Sequence, residues 1–233
     1  MPSLFKYLPA EYAEKMMTEG DILIGTLYDF RYKEDKERGD HNEGTKTAVT
    51  YFKDTVTYTR NEDLPPSLKF IKINGGTVTI TNSSVHMRQS ILNTYIYCCS
   101  QAYNTELKKA FGAEKCIEIF DPHGFGEAVS YKLFEMGLSY SLCLGKPCEY
   151  IGHHVWDTVR TEAYWLKDPH YRHQAEYRLV FIPLLKRNNV VQELIITENG
   201  KKIDFPHPEG IEVNIQPQVI KCKEAIRYCR WRD

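Results

Sequence analysis

One carboxylate in this chain sits where simple packing does not want it. The run Asp168-Pro169-His170-Tyr171-Arg172-His173-Gln174-Ala175-Glu176-Tyr177-Arg178 leads directly into the apolar stretch Leu179-Val180-Phe181-Ile182. A glutamate at the head of an apolar strand needs either a partner or a task, because burying a charge without one is costly. If the strand already begins at Glu176, side-chain alternation puts Arg178 on the same sheet face. Two readings follow: a structural Glu176–Arg178 ion pair, or a working carboxylate.

Other chemistries find less support. There is no glycine-rich phosphate loop ending in Lys-Ser/Thr and no G-x-G-x-x-G, since Gly124-Phe125-Gly126 lacks the third glycine. A Walker-type ATPase and a Rossmann dehydrogenase are therefore disfavoured. The G-x-S-x-G elbow of the α/β-hydrolases is absent. Cys143, Cys148, His153, His154, His170 and His173 do not form the C-x-x-C spacings of structural zinc. Adjacent histidines on a strand would face opposite ways, so no metal is expected. Cys98 and Cys99 lie in an apolar strand, where cysteine ordinarily acts as a small hydrophobe rather than a nucleophile.

Composition bounds the rest. The 233 residues are 42% hydrophobic and 26% charged, with a formal net charge of −1. That is the balance of a folded chain with a real core, read here as one domain spanning 1–233, and it carries no chain-wide basic footprint for nucleic acid. The 16 tyrosines suit both strands and binding surfaces. The tail from Lys221 to Asp233 is locally basic, as a solvated element end or a polyanion contact. Seven cysteines without a basic-then-apolar leader point to reduced thiols and a cytoplasmic location. No apolar run approaches the roughly 18 residues of a membrane span.

Punctuation along the chain predicts the elements that would hold Glu176. Leu4 to Leu8 reads as a strand, Pro9 opens a helix that Gly20 stops, and Asp21 to Tyr28 reads as a strand. The charged run 31–46 reads as an exposed loop, solvated or acting as a lid. Thr47 to Thr59 reads as one strand. Asn74-Gly75-Gly76 predicts a hairpin between Lys69–Ile73 and Thr77–Thr81. Strands are expected at Thr94–Ser100 and Cys116–Phe120, a helix capped by Asn104, and another opened by Asp121-Pro122. Gly145-Lys146 suggests a hairpin turn between Ser139–Leu144 and Cys148–Gly152. Val155 to Leu166 is ambiguous and can hold a helix. Tyr177–Ile182, Val190–Ile196 and Glu212–Ile215 read as strands. The sum is an α+β fold with a mixed, mainly antiparallel sheet core and a few short helices.

The order of short motifs resembles a poorly characterised bacterial domain family often encoded near phage-defence genes. The matching segments are Leu4-Phe5-Lys6-Tyr7, Gly25-Thr26-Leu27-Tyr28-Asp29-Phe30, Ile96-Tyr97-Cys98-Cys99-Ser100, Cys116-Ile117-Glu118-Ile119 and Gln174-Ala175-Glu176-Tyr177-Arg178. The order is also similar to the ADP-ribosyltransferase fold, DarT-type enzymes included. That resemblance implies NAD as substrate, with Glu176 binding the ribose and stabilising oxocarbenium charge as the nicotinamide leaves. It implies Tyr97 or Ser100 in the middle-strand role, and Lys6 or Tyr7 where the family places Arg or His. Tyr28, Phe30 and Arg31 would line the dinucleotide pocket. The implied acceptor is a nucleic acid or a protein, and the implied setting a toxin or phage-defence effector with an antitoxin or defence partner. A non-catalytic sensor or partner-binding module of the same fold is the alternative.

Overall fold

The computed structural model describes residues 2–32, 40–69, 71–91, 93–151, 161–183, 190–198, 201–204 and 215–232. The chain opens with β1 (Leu4–Leu8), α1 (Ala10–Glu19), β2 (Asp21–Thr26) and α2 (Leu27–Tyr32). Next come β3 (Thr45–Phe52), β4 (Val56–Tyr58), β5 (Val78–Ile80) and β6 (Ser83–Ile91). The middle holds β7 (Tyr95–Ser100), α3 (Thr105–Ala110), β8 (Lys115–Ile119), α4 (Pro122–Glu135) and β9 (Ser139–Pro147). The last part holds β10 (Glu176–Pro183), β11 (Val190–Glu198), β12 (Lys201–Asp204), β13 (Gln218–Lys221), α5 (Lys223–Ile226) and β14 (Cys229–Arg232). The class is α+β, as expected, with antiparallel strand ladders.

An eight-stranded sheet carries the centre of the molecule in the order β13-β2-β7-β1-β8-β14, with β10 and then β9 added on the other side of β7. One face of this sheet packs against the helices. Ala13 and Met16 of α1, Phe125, Val129 and Leu133 of α4 and Ala225 of α5 close over Ile24, Tyr97, Cys99, Ile117, Leu179 and Phe181. At about 25 cal/mol per Å² of apolar area, this face is the main source of stability. A four-stranded sheet, β12-β11-β6-β3, and the β4–β5 pair form a second region with its own small core around Phe52, Leu64, Leu68 and Val85.

Local punctuation behaves as the chain chemistry dictates. Pro9 precedes α1, and Gly20 ends it in the left-handed region at φ 79°. The Asn104 side chain accepts from the Glu106 and Leu107 amides, and Asp121 accepts from Gly124 ahead of α4.

Several expectations are corrected. The expected strand Thr47–Thr59 is divided into β3 and β4. β5 pairs with β4 rather than across Asn74-Gly75-Gly76. Gly145-Lys146 does not turn: β9 runs straight through, with Gly145 opposite Leu179 and Lys146 opposite Arg178. The long ladder with β10 outweighs the local turn preference. Val155–Leu166 resolves at its end into a short 3-10 turn, Ala163–Trp165; residues 152–160 lie outside the described residues. So do 205–214, and with them most of the expected strand at Glu212–Ile215.

The stretch 31–46 is also not simply exposed. Residues 33–39 lie outside the described residues, but Asp40 and Glu43 are buried. Gly44 makes this possible. Its φ is 67°, and a Cβ there would lie 2.3 Å from Leu27 Cδ2. Gly44→Ala is therefore expected to cost at least about 2 kcal/mol. For a chain of this size that lowers Tm by about 4–8 °C. A thermal melt checks it, and an unchanged Tm would mean the turn does not need glycine.

Candidate functional site

The cleft begins with an irregularity in the central sheet. β7 pairs along its full length with β10, from Glu176 opposite Ser100 to Phe181 opposite Tyr95. Its other edge is shared. β2 takes the start, with Gly25 opposite Ile96, and β1 takes the end, with Phe5 opposite Ser100. Between them the sheet is split. The Leu27 amide donates to the Thr94 carbonyl, so alternation along an antiparallel strand directs the backbone of Ile96 and then Cys98 toward this edge. Ile96 meets Gly25, but Cys98 meets the split, and its carbonyl accepts instead from Lys6 Nζ at 2.7 Å.

A cleft of about 410 Å³ fills the split. Phe5, Tyr7, Tyr12 and Phe111 supply rings from one side. Asp29 and Phe30 stand on the other, and Ser100, Lys167, Gln174, Glu176 and Arg178 lie at the inner end. The opening passes through the sheet, so it is lined from both faces. Phe5, Ser100 and Glu176 belong to one face, Lys6 and Tyr97 to the helix-covered face, as the strand registers require.

Four buried charges form the floor. Arg178 is only 1% exposed. Its Nη1 and Nη2 donate to Glu43 Oε1 and Oε2 at 2.5 and 3.0 Å, a bidentate pair. Nη1 also donates to the Tyr164 carbonyl at 2.7 Å, and Nε to Glu176 Oε1 at 2.6 Å. Lys167 donates to Glu176 Oε2 and, at 2.9 Å, to Gln174 Oε1. Two cations thus balance two carboxylates away from water, as buried charge demands.

Distant segments deliver these groups. Arg31 donates to the carbonyls of Glu43 and Gly44, bracing the turn that carries Glu43. Residues 148–150 hold both other carriers: the Cys148 amide donates to the Glu176 carbonyl at 2.9 Å, and the Lys167 amide to the Glu149 carbonyl at 3.1 Å. The Glu176 amide donates to the Tyr150 hydroxyl at 2.5 Å. A 3-10 turn, Pro169–Gln174, ends in Ala175 at φ 44°. A left-handed alanine is a strained position, of the kind that tertiary structure must enforce.

The residues singled out in the sequence do not all meet. Glu176 and Ser100 are cross-strand neighbours, and the Ser100 hydroxyl donates toward the carbonyls of Gln174 and Ala102 at 2.8 and 3.0 Å. Tyr97 is parted from Glu176 by the sheet. Its hydroxyl lies 3.6 Å from the Met16 sulfur, and its ring lies under Lys6 Nζ at 4.4 Å from the centroid. Tyr7 lines the cleft, while its hydroxyl donates to Ala102 and accepts from the Asn104 amide. Phe30 lines the cleft. Tyr28 and Arg31 are corrected: the Tyr28 hydroxyl donates to the Ile91 carbonyl at 2.8 Å, and Arg31 stacks on its ring at 3.9 Å while bracing Glu43. Neither lines the cleft.

Glu43, Lys167 and Gln174 were missed by the sequence reading. Glu43 lies in a run of mixed charge that reads as surface. Lys167 follows the apolar Trp165-Leu166, which is the one local hint that it is buried.

The electrostatics define what Glu176 can do. Burial pushes its carboxyl up, but the charges of Arg178 and Lys167 together hold it well below the usual carboxylate range. It is an ionised acceptor and a fixed negative charge, poorly suited to carrying a proton. Burial pushes Glu43 upward, against the pull of Arg178 and Lys167. Burial likewise raises the Cys98 thiol, and pushes Cys99 up to about 12, which opposes thiolate chemistry. No group of three or more His, Cys, Asp or Glu side chains that could hold a metal occurs among the described residues. Among the same residues no helix is long and apolar enough to cross a membrane. No protein-family model, curated protein or solved structure matches the chain.

Two outcomes are expected. Arg178→Met, which strands Glu43 and leaves Glu176 with Lys167 alone, should cost about 3–5 kcal/mol in a denaturant melt. The lowered Glu176 contributes stability that is complete above the unfolded carboxylate pKa of about 4.3 and is lost as pH falls toward its folded value. A raised Glu43 acts in the opposite sense and is itself pushed up in part by the Glu176 charge, so the comparison reads Glu176 together with its effect on Glu43. Glu176→Gln should flatten the acid limb of stability against pH relative to the parent protein. Parallel acid limbs would contradict the assignment.

Proposed function

We propose that the split-sheet cleft binds NAD and that the protein is an ADP-ribosyltransferase-like enzyme acting on a nucleic-acid or protein acceptor, in the role of a toxin or phage-defence effector. The observation that carries this reading is the opening of the sheet over β7, with Glu176 at its inner end and rings on both walls. A cleft of about 410 Å³ is of ligand size. Phe5, Tyr7, Phe30 and Phe111 offer faces for flat heterocycles. Lys6 and Lys15 offer cationic donors for a diphosphate.

The chain's own residues suit an electrostatic mechanism. The ionised Glu176 accepts a ribose hydroxyl and stabilises positive charge on the sugar, with no proton transfer asked of it. Lys167 and Arg178 fix its direction so that little reorganisation accompanies the reaction. A specific observation favours the second reading, a non-catalytic NAD or nucleotide sensor: each Glu176 oxygen already accepts from a cation, and that pairing dilutes its field.

One experiment separates them. The parent protein and Glu176→Gln are incubated with radiolabelled NAD and mixed nucleic-acid and protein acceptors, and NAD affinity is measured by calorimetry. The enzyme reading expects label transfer that falls by about a hundredfold or more in the variant while NAD still binds. Binding without transfer in either protein supports the sensor. Absence of NAD binding by the folded parent overturns both.

A further inference from the structure

The face of the central sheet that carries Glu176 continues, past the cleft, to the edge strand β14. Pairing with β8 sets Arg230 opposite Glu118 and Arg232 opposite Cys116, so both arginines stand on that face, about 7 Å apart along the strand. Their side chains are 61% and 49% exposed. Both are held by one carboxylate. Arg230 Nη2 and Nε donate to Glu118 at 2.8 and 3.1 Å, and Arg232 Nη1 lies 3.8 Å from it. Two guanidinium charges against one carboxylate leave a positive excess in the open.

Aromatic rings flank these charges. The Arg232 guanidinium lies 5.2 Å from the Tyr103 centroid, and Arg230 lies 5.8 Å from that of Phe120. Phe120 is 43% exposed. The Tyr103 ring in turn lies 5.8 Å from Phe5, which lines the cleft. The row Phe120–Arg230–Arg232–Tyr103–Phe5 therefore runs from the sheet edge to the lining of the cleft. Lys108 stands close by, its charge and that of Arg232 both bearing on the buried Cys116 thiol.

Exposed cations at strand spacing, flanked by the exposed Phe120 and the half-buried Tyr103, match an extended chain that carries one phosphate and one flat base per unit. A duplex hides its base faces and would leave the rings unused. An acidic peptide would satisfy the arginines but not the rings. From the geometry we infer that this row is a binding track for single-stranded nucleic acid, leading to the cleft. The track does not rest on the NAD reading, and its test contains no NAD, so the two fail separately.

The test is fluorescence anisotropy of a labelled single-stranded 12-mer, DNA and RNA in turn, between 50 and 200 mM salt, with melting curves to verify folding. The parent protein should bind. Replacing both arginines, Arg230→Gln with Arg232→Gln, should weaken binding at least about tenfold and reduce the salt slope by about 1.4, two phosphate contacts at about 0.7 each. Tyr103→Ala should weaken it about tenfold with the salt slope unchanged, the mark of stacking rather than charge. Tyr103 touches the Glu118 pairs only through the Arg232 guanidinium over its ring, and leaves the closer Arg230–Glu118 pair in place, so this variant remains informative if the arginine pair fails to fold. Tyr51→Ala, an exposed ring on the second sheet, should bind as the parent does. Absence of binding at 50 mM salt overturns the inference. So does a folded Tyr103→Ala that binds as tightly as the parent, or competition by duplex or polyglutamate equal to that of the single strand.

Discussion

The inner end of the molecule depends on the chain of charges Glu43–Arg178–Glu176–Lys167. Each member is acceptable in the interior only because its neighbours are present, so the four behave as a unit. Such a unit adds little net stability compared with an apolar core of the same volume. It does, however, fix geometry, because a misplaced member leaves its neighbours buried and unpaired. A turn far away in sequence, the one before β3, is therefore held in one arrangement with the stretch between Trp165 and Gln174 and the head of β10 that follows it. Arg31 and the strained Ala175 are consequences of that arrangement.

A second constraint acts on the sheet. β7 has a continuous partner on one side and two partial partners on the other. A strand whose edge is shared in this way must leave backbone groups between its two partners. Here a lysine from β1 reaches across to the carbonyl of Cys98. The resulting opening joins the two faces of the sheet, which explains how Tyr97 and Glu176 border one cleft while pointing opposite ways. It also divides the chemistry, with Lys6 and the Tyr97 ring toward the helices and Phe5 on the face of the fixed ionic groups.

The two regions have different electrostatics for the same physical reason. At the inner end desolvation forces charge balance, and two cations meet two carboxylates. At the β14 edge solvent screens the excess, so two arginines can share Glu118 without a second anion. The first arrangement holds a group still, and the second leaves charge available to a partner.

Much of the framework was legible in the chain itself. The first strand, the helix that Gly20 ends, the Asn104 and Asp121 caps and the apolar run of β7 are set by residues within a few positions of one another, and the structure has them. So was the Glu176–Arg178 face-sharing, which needs only the two-residue period of a strand. What local rules could not reach was decided by pairing partners. Gly145-Lys146 has a turn's composition, yet the β10 ladder keeps it extended. β6 escaped notice because its Ser, His, Arg and Gln mask the strand period. Glu43 reads as surface until Arg178, 135 positions away, is brought against it. Tyr28 and Arg31 read as pocket residues until the Ile91 carbonyl takes the one and that same turn the other. The sequence alone determined which carboxylate would be unusual. Only the tertiary structure decided its state, because the ionisation of a buried group depends on the charges that the fold places around it.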